Sequence, residues 1–75
     1  MIVGVMFLDE ESRVFKGRHY SYYTDLSVKM LTRVLAPVGD KGEVKRACVV
    51  DLDIPITSIP KDIRPILKTI TEYDE

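Results

Sequence analysis

Cysteine, histidine and tryptophan are almost missing from this sequence of 75 residues, which contains one cysteine, one histidine and no tryptophan. A single cysteine excludes an internal disulfide. Cys48 and His19 together do not supply the three or four ligands that a zinc site requires. They also do not combine into a specific pattern for nucleophilic catalysis. The sequence therefore predicts a protein that is not an enzyme, with no catalytic, cofactor-binding or metal-binding residues.

Long apolar runs and a strong charge of one sign are missing as well. No stretch of about 18 apolar residues is present, so we expect no membrane-spanning helix. The chain is 45% hydrophobic with a formal net charge of −1, a balance that excludes disorder throughout. Cys48 lies in an apolar run and is expected to act as a small buried hydrophobe, compatible with a reducing cytoplasm. The length predicts one small domain over residues 1–75, and the lone cysteine favours a cytoplasmic location.

Hydrophobic patterning predicts a mainly β fold. Gly39 and Gly42 mark a turn, and Pro55 and Pro60 exclude a long regular element over residues 53–64. Apolar and alternating segments predict about five short strands, near residues 2–8, 13–24, 33–36, 43–52 and 66–73. Strands of this length and spacing are typical of a small, strongly bent antiparallel sheet or of an SH3-like or OB-like barrel.

Two segments leave room for a short helix. Thr24 or Asp25 could cap a helix over residues 25–35 that carries apolar residues four positions apart. The alternative, a loop followed by a strand over residues 33–36, is favoured here. Residues 59–64 could form a single helical turn that begins at Pro60. The acidic residues 72–75 are expected to be frayed.

Charge is segregated along the chain. The net charge is −3 over residues 1–12, +5 over residues 13–46 and −3 over residues 47–75. Tyr22 and Tyr23 point to opposite faces of a strand, so at most one packs inward and the other is a candidate contact residue. We take as candidate partner-binding residues two tyrosines and three bases of this segment: Tyr22, Tyr23, Arg18, Lys45 and Arg46.

Two interpretations of the basic segment 13–46 remain open. In the first, lysines and arginines bind the phosphates of single-stranded nucleic acid while aromatic rings stack on its bases. In the second, most aromatic rings form the core and the bases surround a surface for an acidic protein partner. The sequence pI of 5.8 is low for a nucleic-acid-binding domain, which favours a protein partner.

Four short motifs, covering about half of the chain, resemble a known pattern: Phe15 to Tyr22, Leu26 to Val28, Arg33 to Gly39 and Ala47 to Val50. The pattern is that of small uncharacterised proteins of tailed bacteriophages, and the N-terminal DNA-binding domain of the replication-restart helicase is similar. This chain departs from it where the pattern has Gly-Asp before the valine strand, since the residues here are Leu31-Thr32 or Met30-Leu31. The resemblance implies a small β-barrel-like fold, a phage or mobile-element origin and binding to a host protein, and it carries over no site residue.

The prediction for function is a small binding module that recognises a host protein as an inhibitor or modulator. The alternative is nucleic-acid binding, to a single strand or to ends, through the basic and aromatic segment 13–46. A homo-oligomer is a third possibility, because the terminal strands 2–8 and 66–73 could each offer an exposed edge.

Overall fold

The computed structural model describes residues 1–75, and its regular structure is almost entirely β. One sheet contains six strands, namely β1 (Ile2–Asp9), β2 (Val14–Thr24), β3 (Arg33–Val38), β4 (Glu43–Asp51), β5 (Thr69–Ile70) and β6 (Glu72–Tyr73). Their order across the sheet is β5-β2-β1-β4-β3-β6. The prediction of a mainly β fold is confirmed. The sheet is mixed rather than antiparallel, because β5 runs parallel to β2.

The short segment 69–73 connects the two edges of the sheet. β5 pairs with β2 at one edge of the sheet, and β6 pairs with β3 at the other edge, with only Thr71 between them. β5 and β6 are not hydrogen-bonded to each other as neighbouring strands, so the ladder of backbone hydrogen bonds is not closed into a barrel. The single strand expected over residues 66–73 is thus two short strands, each serving a different edge.

The end of the sequence, expected to be frayed over residues 72–75, is paired at its first three residues. β6 pairs with β3, and the backbone N–H of Asp74 donates to the carbonyl oxygen of Arg33 at 3.1 Å. The Tyr73 hydroxyl donates to the carbonyl oxygen of Ser27 at 2.8 Å. These hydrogen bonds tie the acidic segment to β3 and to the loop before it.

No α-helix forms over residues 25–35, and the loop interpretation of this segment is confirmed. The Thr24 hydroxyl accepts a hydrogen bond from the N–H of Leu26 and donates to the carbonyl oxygen of Ile70. Leu31 has a φ of 71°, which no α-helix accommodates. The single turn expected at residues 59–64 is present, because the N–H groups of Ile63 and Arg64 both donate to the carbonyl oxygen of Pro60, at 2.9 and 3.1 Å. It lies between two 3₁₀ turns, at Ile56–Ser58 and Arg64–Ile66.

The core lies on one face of the sheet, called here the inner face. Alternate residues of each strand point to this face because successive side chains in a strand point to opposite sides. The eight buried residues of the main cluster are Val3, Val5, Tyr22, Val34, Ala36, Ala47, Val49 and Ile70. Cys48 is buried on the opposite, outer face beside Met6. Most of this core comes from small β-branched residues, which pack well on a pleated surface.

Gly4 leaves room for a polar contact that crosses the outer face. It is paired with Asp51 of β4, and Asp51 Oδ2 lies 2.9 Å from His19 Nδ1 on β2. A methyl group on Gly4 would lie 2.7 Å from Asp51 Oδ2 and 3.0 Å from Asp51 Cβ. The side chain of Asp51 can therefore reach His19 only because position 4 has no side chain.

We expect Gly4→Ala to lower the free energy of unfolding by about 1–3 kcal/mol, the usual cost of forcing an extra methyl into a packed site. Urea denaturation measures this loss. The control is the same substitution in an Asp51→Gly background, where the methyl group has space and the cost should fall to about 0.5 kcal/mol or less. An equal loss in both backgrounds would show that the Asp51 side chain is not the obstacle.

Candidate functional site

A groove of about 720 Å³ opens beside the inner face of the sheet. One wall is formed by aromatic residues of β1 and β2, namely Phe7, Tyr20 and Tyr22. The facing wall belongs to the segment between β4 and β5, called here the 52–68 loop, and includes Ile63 and Ile66. Half of the lining residues are hydrophobic, so the groove offers apolar surface to a ligand.

The aromatic wall is built by strand alternation across two strands. The centroids of the Phe7 and Tyr20 rings are 5.4 Å apart, and those of Phe7 and Tyr22 are 6.5 Å apart. Both pairs meet edge to face, a favourable arrangement for aromatic rings. Tyr22 is 7% exposed and Tyr20 is 45% exposed. Tyr22 therefore forms the floor of the groove, and Tyr20 presents surface that a ligand can cover.

The opposite wall is held in place by hydrogen bonds rather than by regular structure. The N–H of Ile54 donates to the carbonyl oxygen of Ile2 at 2.9 Å, and the Tyr23 hydroxyl donates to the carbonyl oxygen of Arg64 at 3.1 Å. Arg64 Nε in turn donates to the carbonyl oxygen of Ile59, whose side chain is buried. These contacts attach the 52–68 loop to β1 and β2 and set the shape of the groove.

The groove separates β2 from β3 at one end of the sheet. There the two strands are joined by a side chain, because the Tyr22 hydroxyl donates to the carbonyl oxygen of Pro37 at 2.8 Å. Burial raises the pKa of the Tyr22 hydroxyl, with a smaller contribution from nearby Tyr20. The phenol therefore stays neutral and remains a donor at neutral pH.

Positive charge dominates the lining. Lys45 and Lys68 line the groove, and no aspartate or glutamate does. This balance contrasts with the whole chain, in which acidic residues outnumber lysines and arginines by one. An anionic ligand is therefore favoured here over a cationic one.

The residues predicted as partner contacts are dispersed, and the groove brings together only two of them. Tyr22 and Lys45 line it, and Tyr22 is also buried in the core, with 7% of its surface exposed. Tyr23 is half-buried and holds the 52–68 loop. Arg18 and Arg46 are exposed and lie outside the groove. Lys45 and Arg46 are consecutive in β4, so their side chains point to opposite faces.

Several groove residues were not among the predicted contacts. Phe7 could have been assigned to the inner face from its alternation with Val3 and Val5 in one strand. Ile66 and Lys68 belong to the segment predicted as a strand over residues 66–73, whereas the structure places them in or beside a 3₁₀ turn. Their position depends on the pairing of β5 with a strand that is distant in sequence.

The other reactive side chains do not form a site. Cys48 is buried, and burial raises the pKa of its thiol, an effect that Arg33 only partly opposes. His19 is engaged with Asp51 on the outer face. The structure contains no cluster of three or more histidine, cysteine, aspartate or glutamate side chains placed to hold a metal ion.

None of the helical segments has the length and apolar character needed to cross a membrane. In comparisons with known proteins, no protein-family model, curated protein or solved structure matches this chain.

Proposed function

We propose that this protein is a non-enzymatic binding module that recognises a protein partner through the groove, as a small cytoplasmic inhibitor or modulator of a host protein. The observation that carries the proposal is the convergence of exposed apolar side chains around one concave surface. Tyr20 and Ile66 are 45% and 67% exposed and lie on opposite walls. Large aromatic and aliphatic residues in a concave site are the usual anchors of protein recognition.

The distribution of bases supports a protein partner over nucleic acid. Nucleic-acid binding relies on several lysines or arginines that follow the phosphate backbone. Here the bases of segment 13–46 are divided between surfaces. Arg33 lies 5.4 Å from the centre of the Phe15 ring, on the outer face. Arg13 and Lys16 form ion pairs with Glu10 and Asp9 in the β1–β2 turn.

The test is affinity capture from nuclease-treated host lysate with three tagged proteins: wild type, Ile66→Asp and Leu31→Asp. Ile66 lines the groove, whereas Leu31 lies outside it and is similarly exposed, at 70%. Wild type and Leu31→Asp should retain the same dominant protein, and Ile66→Asp should lose it by tenfold or more, about 1.4 kcal/mol. Thermal melting of all three proteins confirms that each is folded.

Two outcomes would contradict the proposal. Equal recovery with Ile66→Asp and wild type would place the binding surface elsewhere. Recovery of nucleic acid before nuclease treatment, with every protein lost after it, would favour nucleic-acid binding through segment 13–46.

A further inference from the structure

β2 has an open edge beside the groove. β5 pairs with β2 only at Tyr23 and Thr24, and the N–H of Tyr23 donates to the carbonyl oxygen of Lys68 at 3.0 Å. Backbone hydrogen-bonding groups in a strand point to alternate sides. Ser21, two residues before Tyr23, therefore directs its N–H and C=O to the same side. It lines the groove and lies in the regular part of β2, beyond the bulge between Lys16 and Tyr20.

The facing edge of β3 is closed to backbone pairing. β6 pairs with β3 at Val34 and Leu35. The next residue of β3 that faces this side is Pro37, which has no N–H, and its carbonyl oxygen already accepts the hydrogen bond from Tyr22. Proline is a common means of protecting an edge strand from pairing. An added strand therefore has one available partner, β2.

We propose that the groove binds an extended acidic segment of the partner protein, which pairs with β2 as an additional strand at Ser21. This inference rests on the proposed function and specifies its partner. Strand addition to an exposed edge is a common mode of peptide recognition, in which the main chain supplies affinity and alternate side chains supply specificity. The protein's own segment 69–73 already lies between the edges of β2 and β3 further along the sheet.

The chemistry of the lining defines the side chains of this segment. Lys45 and Lys68 line the groove without any carboxylate, so acidic residues find partners there and basic residues are repelled. The aromatic rings of Phe7 and Tyr20 accept apolar side chains. A segment that carries both acidic and apolar residues meets both requirements.

The first experiment uses three probes on the full chain: a capped octapeptide of alternating valine and glutamate, the same peptide with lysine for glutamate, and an eight-nucleotide oligothymidylate. NMR titration and amide hydrogen exchange are the measurements. The glutamate peptide should bind at least tenfold more tightly than the lysine peptide and slow exchange at Ser21. In the double variant Lys45→Glu and Lys68→Glu, the preference should reverse. Tighter binding of oligothymidylate, or no binding of the glutamate peptide, would overturn the proposal.

The second experiment removes the hydrogen-bond donor from the open edge. Ser21→Pro removes an N–H that points away from β1, a position where an edge strand tolerates proline, and Ser21→Ala controls for the side chain. Ser21→Pro should weaken binding of the glutamate peptide by about tenfold, and Ser21→Ala should weaken it by less than about threefold. Melting temperatures verify that both variants fold. If Ser21→Pro binds the peptide and the captured protein like wild type, strand addition is wrong while the groove function stands. Absence of any captured protein would instead reject the function.

Discussion

Ile70→Ala is expected to lower the free energy of unfolding by about 2–5 kcal/mol, the range for truncating a fully buried isoleucine. Ile70 is 1% exposed and belongs to the main core cluster. Its backbone is also fixed, because its carbonyl oxygen accepts a hydrogen bond from the buried Thr24 hydroxyl. A domain of this size has only a small free energy of unfolding, so this loss represents a large part of it.

Urea denaturation of the purified protein measures the effect, with Ile66→Ala as the matched control. Ile66 is the same residue type, four positions earlier, but it is 67% exposed. Its truncation should change stability by no more than about 0.5 kcal/mol. Similar losses for the two variants would contradict the assignment of β5 to the core, and with it the attachment of segment 69–73 to β2.

Tyr22→Ala is expected to lower the free energy of unfolding by about 3–5 kcal/mol, the range for removing a buried aromatic ring. Tyr22→Phe retains the ring and removes only the hydroxyl that bonds to Pro37, so its cost should be about 1 kcal/mol. The two variants separate packing from hydrogen bonding and are compared by urea denaturation. A loss for Tyr22→Phe as large as that for Tyr22→Ala would assign the stability to the hydrogen bond instead.

Comparison of wild type with Tyr22→Phe tests the raised pKa of the Tyr22 hydroxyl. Burial disfavours the phenolate in the folded state, so the unfolded chain loses this proton first as pH rises. The stability of wild type should therefore fall above about pH 10, the ordinary tyrosine pKa, and Tyr22→Phe should lack this component. The difference between the two proteins, measured by urea denaturation from pH 8 to pH 11, isolates it from the ionisation of lysines.

These stability effects determine which tyrosine can report on binding. Loss of binding by Tyr22→Ala would follow from unfolding and would say nothing about a contact. Tyr20 is 45% exposed and lies on the groove wall. Tyr20→Ala is therefore the informative variant for recognition.

The fold was predictable wherever strand periodicity was strong. Val3 and Val5 alternate with residues of the other face, and the glycines at positions 39 and 42 end β3 and begin β4 through positive φ angles. The split of residues 66–73 was not predictable, because two-residue strands have no periodicity of their own. Their existence depends on β2 and β3, which lie more than thirty residues earlier in the chain.

The groove was less predictable than the fold for a related reason. Sequence analysis placed Tyr22 and Tyr23 on opposite faces of one strand, and strand alternation explains why that assignment is correct. It did not reveal that Tyr22 would bridge to Pro37, since this depends on the curvature of the sheet. It also assigned Lys45 and Arg46 to one surface, although consecutive strand residues point in opposite directions.

The attachment of segment 69–73 to both edges also affects synthesis on the ribosome. Translation at 5–20 residues per second leaves an interval of several seconds between the completion of β2 and the appearance of this segment. During that interval the edges of both β2 and β3 are unpaired. A nascent chain in this state is exposed to pairing with other nascent chains, and a partner strand that binds β2 early would compete with β5 for the same edge. Pairing with β5 and β6 covers part of each of these edges and so limits aggregation through them.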